Sequence, residues 1–160
     1  MKNDIEKNRN KINELKSKNL ERERKISDLE QSKQDLLDAR TGLESSDIDD
    51  DIKKTIVDAL NQSMEKNKEK GQELSREMQQ DVENVESIKE ETDTGISDIE
   101  EQSSQLSQYK GVLEKVGISG VIDSSLSKLE DRRNDFESVK ADAMDAASRL
   151  DVLAHRAEEI

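Results

Sequence analysis

An apolar repeat that steps alternately three and four residues runs almost the whole length of the chain, and no proline interrupts it. Such spacing lines apolar side chains along one stripe of an α-helix, so the chain must form long helices that bury narrow seams against one another. In the first segment Ile5, Ile12 and Ile26 hold one seam position and Leu15, Leu29, Leu36 and Leu43 the other, with charged or amide residues between them. The expected fold is all-α. It is an elongated antiparallel hairpin or coiled-coil bundle of three long helices, forming a single domain over residues 1–160.

Composition restricts what those helices can enclose. Hydrophobic residues make up 30% of the chain, against roughly 45–50% in ordinary globular proteins when glycine is counted too. With one Phe, one Tyr and no Trp, no thick core is within reach, and the 41% of residues that carry charge must occupy solvated faces. Low hydrophobicity and a net charge of −13 also suit a disordered chain, but the ordered heptads favour helices. The acidic balance repels phosphate backbones and anionic lipid, so neither nucleic acid nor membrane is an expected partner. Zero cysteines rule out disulfides without placing the protein in a compartment. No stretch approaches the ~20 apolar residues that span a bilayer, and the charged start lacks a signal-peptide apolar region. Localisation stays open between the cytoplasm and export without a classical signal peptide.

Helix boundaries follow from the punctuation. The first helix is expected over 2–41, with Gly42 as a left-handed cap and Leu43 as its apolar contact. A serine cap at Ser45 and Ser46, followed by Asp47, Asp49, Asp50 and Asp51, suits the positive end of a second helix over 47–116. At 1.5 Å per residue a helix of about 70 residues is a rod of roughly 100 Å. Its seam carries Val57, Leu60, Met64, Leu74, Met78 and Val85, then Ile88, Ile99, Leu106, Tyr109, Leu113 and Val116. Asn67, Gly71, Asp81, Thr92, Gly95 and Gln102 interrupt it. The poor helix formers Thr92, Asp93, Thr94 and Gly95 leave open a break near Gly95, which would make four helices. Gly117, Ile118, Ser119 and Gly120 form a stop, and a last helix is expected over 121–160.

Short turns favour antiparallel neighbours. A hairpin closing near Ser45 brings Lys2, Lys7, Arg9 and Lys11 beside Asp81, Glu83, Glu86, Glu90 and Glu91, and the returning third helix brings Arg149 and Arg156 to the same acidic stretch. Each exposed pair is worth under about 1 kcal/mol, so these charges set register more than stability. The Ile and Leu seam with Asn19 at an Ile-type position is also the pattern of a parallel homodimer.

The last helix carries Phe136, Val139, Ala143 and Ala146, then Leu150, Leu153, Ala157 and Ile160, on a face widened by Met144, Ala147, Val152 and Ala154. That face reads either as core for a third helix or as a protein-binding surface; these eight residues are the candidate site. No catalytic, cofactor or metal site is expected. His155 is the one histidine, and the Asp47, Asp49, Asp51 run has Ile52 and Asp58 where a calcium loop needs glycine and glutamate. Gly117 and Gly120 lack the Lys-Ser/Thr of a phosphate loop. The chain is therefore expected to be a non-enzymatic interaction protein, an adaptor or assembly factor for another helical protein. The alternative is a structural spacer that forms homodimers.

The leading helix, with Lys11, Ile12, Asn13, Glu14 and Leu15, then Ile26, Ser27, Asp28, Leu29, Glu30, Gln31, Ser32 and Lys33, resembles the small helical accessory proteins encoded beside LXG-type effectors of Gram-positive type VII secretion. The resemblance covers about the first 45 residues, together with size, acidic character and absence of cysteine. It implies binding to the helical targeting domain of an effector and assistance in its export. The chain has no Trp-x-Gly turn, and Leu113 rather than an acid stands four residues after Tyr109, so no secretion signal is carried over.

Overall fold

In the computed structural model the described residues are 2–117 and 119–160, and the side chains of Lys2 and Ser119 lie outside the description, as does Ile118 of the expected stop. Three helices account for nearly all of them: α1 (Lys2–Glu44), α2 (Asp50–Glu114) and α3 (Ser119–Glu158), with no strand among the described residues. The protein is an all-α helical bundle.

The first turn falls later than the glycine suggests. α1 runs through Gly42, and its last carbonyls are met by serines: Ser45 Oγ donates to Thr41 O and Gly42 O, and Ser46 Oγ to Leu43 O at 2.7 Å. With Ser45 and Ser46 closing α1, Asp49 caps α2, accepting the backbone N–H of Asp51 on Oδ1 at 3.2 Å. At the second turn Gly117 takes the left-handed conformation expected of it, with φ of 77°.

α2 is one helix across Thr92–Gly95. Packing overrides propensity at both doubtful residues. Thr92 is fully buried and satisfies its hydroxyl by donating to Ile88 O at 2.7 Å. Gly95 lies against the Phe136 ring: a Cβ there would stand 2.6 Å from Cζ.

Packing divides the chain into two compact units, each drawing on all three helices: Met1–Leu15 with Glu83–Ala147, and Lys16–Val82 with Ser148–Ile160. In unit 1 the buried apolar residues include Ile5 and Ile12 from α1, Val85, Ile88 and Ile99 from α2, and Ile122, Leu129, Phe136 and Val139 from α3. In unit 2 they include Ile26 and Leu29, Leu74 and Met78, and Leu150, Leu153 and Ala157.

α1 and α3 run side by side within each unit, a contact that the short-turn argument did not anticipate. In unit 1 Arg9 pairs with Asp135 of α3. In unit 2 Arg149 pairs with Glu23 and Arg156 with Glu30, the partners again 126 positions apart. The expectation that Arg9, Arg149 and Arg156 meet the acids of α2 is thus corrected: they join α1 to α3. Both helices are antiparallel to α2, which makes them parallel to each other. An offset of whole heptads keeps equivalent edges facing.

Candidate interaction surfaces

The face expected to receive a partner is occupied by the chain's own helices. Phe136, Val139, Ala143 and Ala146 are buried within unit 1, Leu150, Leu153 and Ala157 within unit 2, and Ile160 is half-buried. Of these eight residues, for which two readings were open, seven lie in the core and Ile160 sits at its edge. The alanines allow the close approach: a Cβ on Gly71 would lie 2.5 Å from Ala157 O.

In unit 1 the start of α1 lies between α2 and α3, fixed by polar contacts as much as by Ile5 and Ile12. Asn8, 3% exposed, donates from Nδ2 to Glu91 Oε2 at 3.1 Å, and Arg9 Nη2 donates to Asp135 Oδ1 at 3.2 Å. Lys140 and Asp93 (2.6 Å) and Arg133 and Glu100 (3.0 Å) join α3 to α2. Beside α1 is a groove of about 570 Å³ lined by Asp4, Lys7, Glu90, Glu91, Asp98 and Phe136 among others. Towards the second turn Lys110 meets Asp123 at 2.8 Å, and the hydrogen bond it donates to that carboxylate raises the Lys110 pKa. Here Tyr109, Val112, Val116 and Val121 are 62% to 72% exposed.

In unit 2 the α1–α3 contact is the best-built polar cluster. Arg156 donates from Nε and Nη2 to the two carboxylate oxygens of Glu30, each at 2.9 Å, and from Nη2 to Ser27 Oγ at 3.3 Å. This fork holds the Glu30 carboxyl below its usual value of 4.5, by the hydrogen bond first and by charge as well, against the opposing effect of burial. The Arg156 pKa is correspondingly raised. Lys33 Nζ reaches Glu159 O at 2.6 Å at the end of α3. Beyond that point α1 and α2 continue as a pair in which Leu36, Leu43, Val57, Leu60 and Met64 are half-buried, while Ile48, Ile52 and Ile56 are exposed.

Sequence reasoning placed Asn19 and Asp81 on the seam but missed Asn8, Arg22 and Ser75, which complete a buried polar layer. Arg22 is ion-paired with Asp81, and Ser75 donates to Glu158 Oε1 at 3.1 Å. The available signal was position: Asn8 and Arg22 fall on the same seam row as Leu15 and Leu29. Asn19 is 1% exposed, and neither of its amide atoms has a hydrogen-bonding partner among the described residues. His155 is exposed and faces Asp151 of its own helix. Among the described residues no group of three or more His, Cys, Asp or Glu side chains converges to hold a metal, and no helix is long and apolar enough to cross a membrane. No protein-family model, curated protein or solved structure matches the chain.

Proposed function

We propose that this protein is a non-enzymatic helical adaptor or assembly factor whose partner is another helical protein. The observation that carries the reading is the difference between covered and uncovered stretches of its seams. Where three helices meet, seam residues such as Ile12, Met78, Ile99 and Leu150 are at most 1% exposed. Where two helices continue alone, Leu36, Val57 and Met64 in unit 2 are half-buried and Tyr109, Val112 and Val116 in unit 1 are exposed, although Ile122 and Leu129 stay buried there between α2 and α3. Two paired helices offering apolar rows between them are a receptor for a third helix. The likeness of α1 to accessory proteins of type VII secretion makes the helical targeting domain of an LXG-type effector the first partner to try.

A second reading, a homodimeric rod, has Asn19 in its favour. A buried amide without a partner costs about 1–3 kcal/mol, and two such amides facing each other across a parallel dimer would satisfy one another. Against it, Asn8 and Arg22, on the other row of the same seam, are already engaged with α2. Light scattering over a wide concentration range decides between the readings. The adaptor reading expects the mass of one chain; a dimer that persists on dilution overturns it in favour of the rod.

A further inference from the structure

A seam built only of Ile and Leu re-forms after any slip of one helix by whole heptads, because each side chain takes the place of one like itself. The residues that depart from that pattern therefore decide which slips of α1 are open. On the α1 seam row that meets α2, Asn8, Leu15, Arg22 and Leu29 alternate polar and apolar at sevens, and Leu36 follows. The four are buried, as is Asp81. Asn8 is matched by Glu91 and Arg22 by Asp81, while Leu29 lines a groove with Leu74. A slip of one heptad puts Leu15 or Leu29, according to its direction, in the place of Arg22. Either takes the guanidinium from a buried carboxylate, which costs far more than replacing both partners by apolar residues. A two-heptad slip that brings Leu36 to the same place fails for the same reason. Only the opposite two-heptad slip passes, because it brings Asn8 to Asp81 with an amide N–H to donate.

The edge between α1 and α3 closes that gap. At sevens along it α1 carries Arg9, Lys16, Glu23 and Glu30, and α3 carries Asp135, Asp142, Arg149 and Arg156, so both edges change sign midway. In the observed register Arg9 meets Asp135 in unit 1, and Glu23 meets Arg149 and Glu30 meets Arg156 in unit 2. The slip that brings Asn8 to Asp81 would set Arg9 against Arg149 and Lys16 against Arg156, cation against cation. Conversely, the edge tolerates a one-heptad slip in which Lys16 replaces Arg9 and Glu30 replaces Glu23, and the buried pair excludes it. The turn between α1 and α2 is no substitute, since a slip of one heptad in an antiparallel pair moves the turn by half a heptad, about one helical turn, at a tip where Ile48, Asp49 and Asp50 are exposed. We propose that the two sets of pairs form a register lock on α1: the buried Arg22–Asp81 pair excludes one-heptad slips, and the sign-reversing edge with α3 excludes the two-heptad slip that the buried pair admits.

Register is read by paired cysteines in the otherwise cysteine-free chain. Asn67→Cys is combined with Ser32→Cys, its neighbour at 2.8 Å, with Lys25→Cys or Ala39→Cys for the one-heptad slips, and with Lys18→Cys for the two-heptad slip. Disulfide yield within one chain after mild oxidation at low salt is measured by mass spectrometry, and circular dichroism confirms that each variant is folded. In the parent chain the Ser32 pair should close, with the other three at least tenfold lower. Arg22→Leu with Asp81→Leu should raise the Lys25 and Ala39 yields at least tenfold, and Arg149→Glu with Arg156→Glu should do the same for the Lys18 yield. Displaced pairs that close readily in the parent chain, or that stay silent in a folded chain carrying either set of substitutions, overturn the proposal. The second set changes only side chains at the surface, so it decides even where leucines at the buried pair prevent folding.

Discussion

Gly95 and Gly111 lie in one helix and differ only in their surroundings, which separates the cost of a glycine in a helix from its use. A Cβ at position 95 would fall within 3.0 Å of three ring atoms of buried Phe136, while at position 111 nothing lies within 4 Å. Gly111→Ala should raise stability by up to about 1 kcal/mol through helix propensity. Gly95→Ala carries the same gain but displaces a packed ring, and should be net destabilising by about 1–2 kcal/mol; chemical denaturation measures both. Asn19 permits a prediction of the opposite kind. Asn19→Leu removes two buried unsatisfied atoms from an apolar row and should stabilise by about 1–3 kcal/mol; a loss of stability would reveal a polar partner in solution. The seam positions of Asn19, Thr92 and Gly95 were legible in the sequence, but their surroundings were not. Gly95 and Thr92 have the composition of a break, and only the proximity of Phe136 and of Ile88 O shows what they do instead.

At the scale of helices, the heptads specified three elements and the burial of most seam residues, because periodicity is a local property that survives folding. Ends and neighbours were harder to read. Ser45 and Ser46 resemble an N-cap as much as a C-terminal closure, and with α1 prolonged to Glu44 the point midway between Asn8 and Glu91 falls near the start of α2 rather than at Ser45. The partners of Arg149 and Arg156 were ambiguous because α1 and α2 both supply acids at suitable spacing, and short turns are silent on whether first and third helices touch. That contact makes a pH prediction. The pKa of Glu30 is lowered on folding, so its pairing with Arg156 contributes fully above about pH 4.5 and is lost as pH falls through the lowered value. Glu30→Gln should therefore be less stable than the parent chain at neutral pH, with the difference shrinking below pH 4.5. Denaturant titrations at several pH values would show it; a gap that widens in acid would contradict the assigned pairing.

For the whole molecule, the α1 seam is filled within each unit by the chain's own α2 and α3, and the exposed apolar residues lie in the two-helix stretches and at Leu20, Met144 and Val152. This changes where the candidate site lies. The eight residues from Phe136 to Ile160 were legible as an apolar face, but a face wide enough to bind another protein is also wide enough to be core, and the sequence cannot distinguish the two without knowing that α1 and α3 meet. Tyr109 and Val116 were legible as seam residues but not as exposed ones, and Val112, exposed beside them, lies outside the expected seam. The absence of cysteine permits a direct measurement of the α1–α3 contact within one chain. Glu30→Cys and Arg156→Cys, introduced together at the ends of the 2.9 Å contact between α1 and α3, should be joined by a short bis-maleimide within one chain, and the product should keep the mass of a monomer at every concentration. Cross-linked dimers that grow with concentration, with no intramolecular product, would contradict the contact of α1 with its own α3 and show that α1 finds its partner in another molecule.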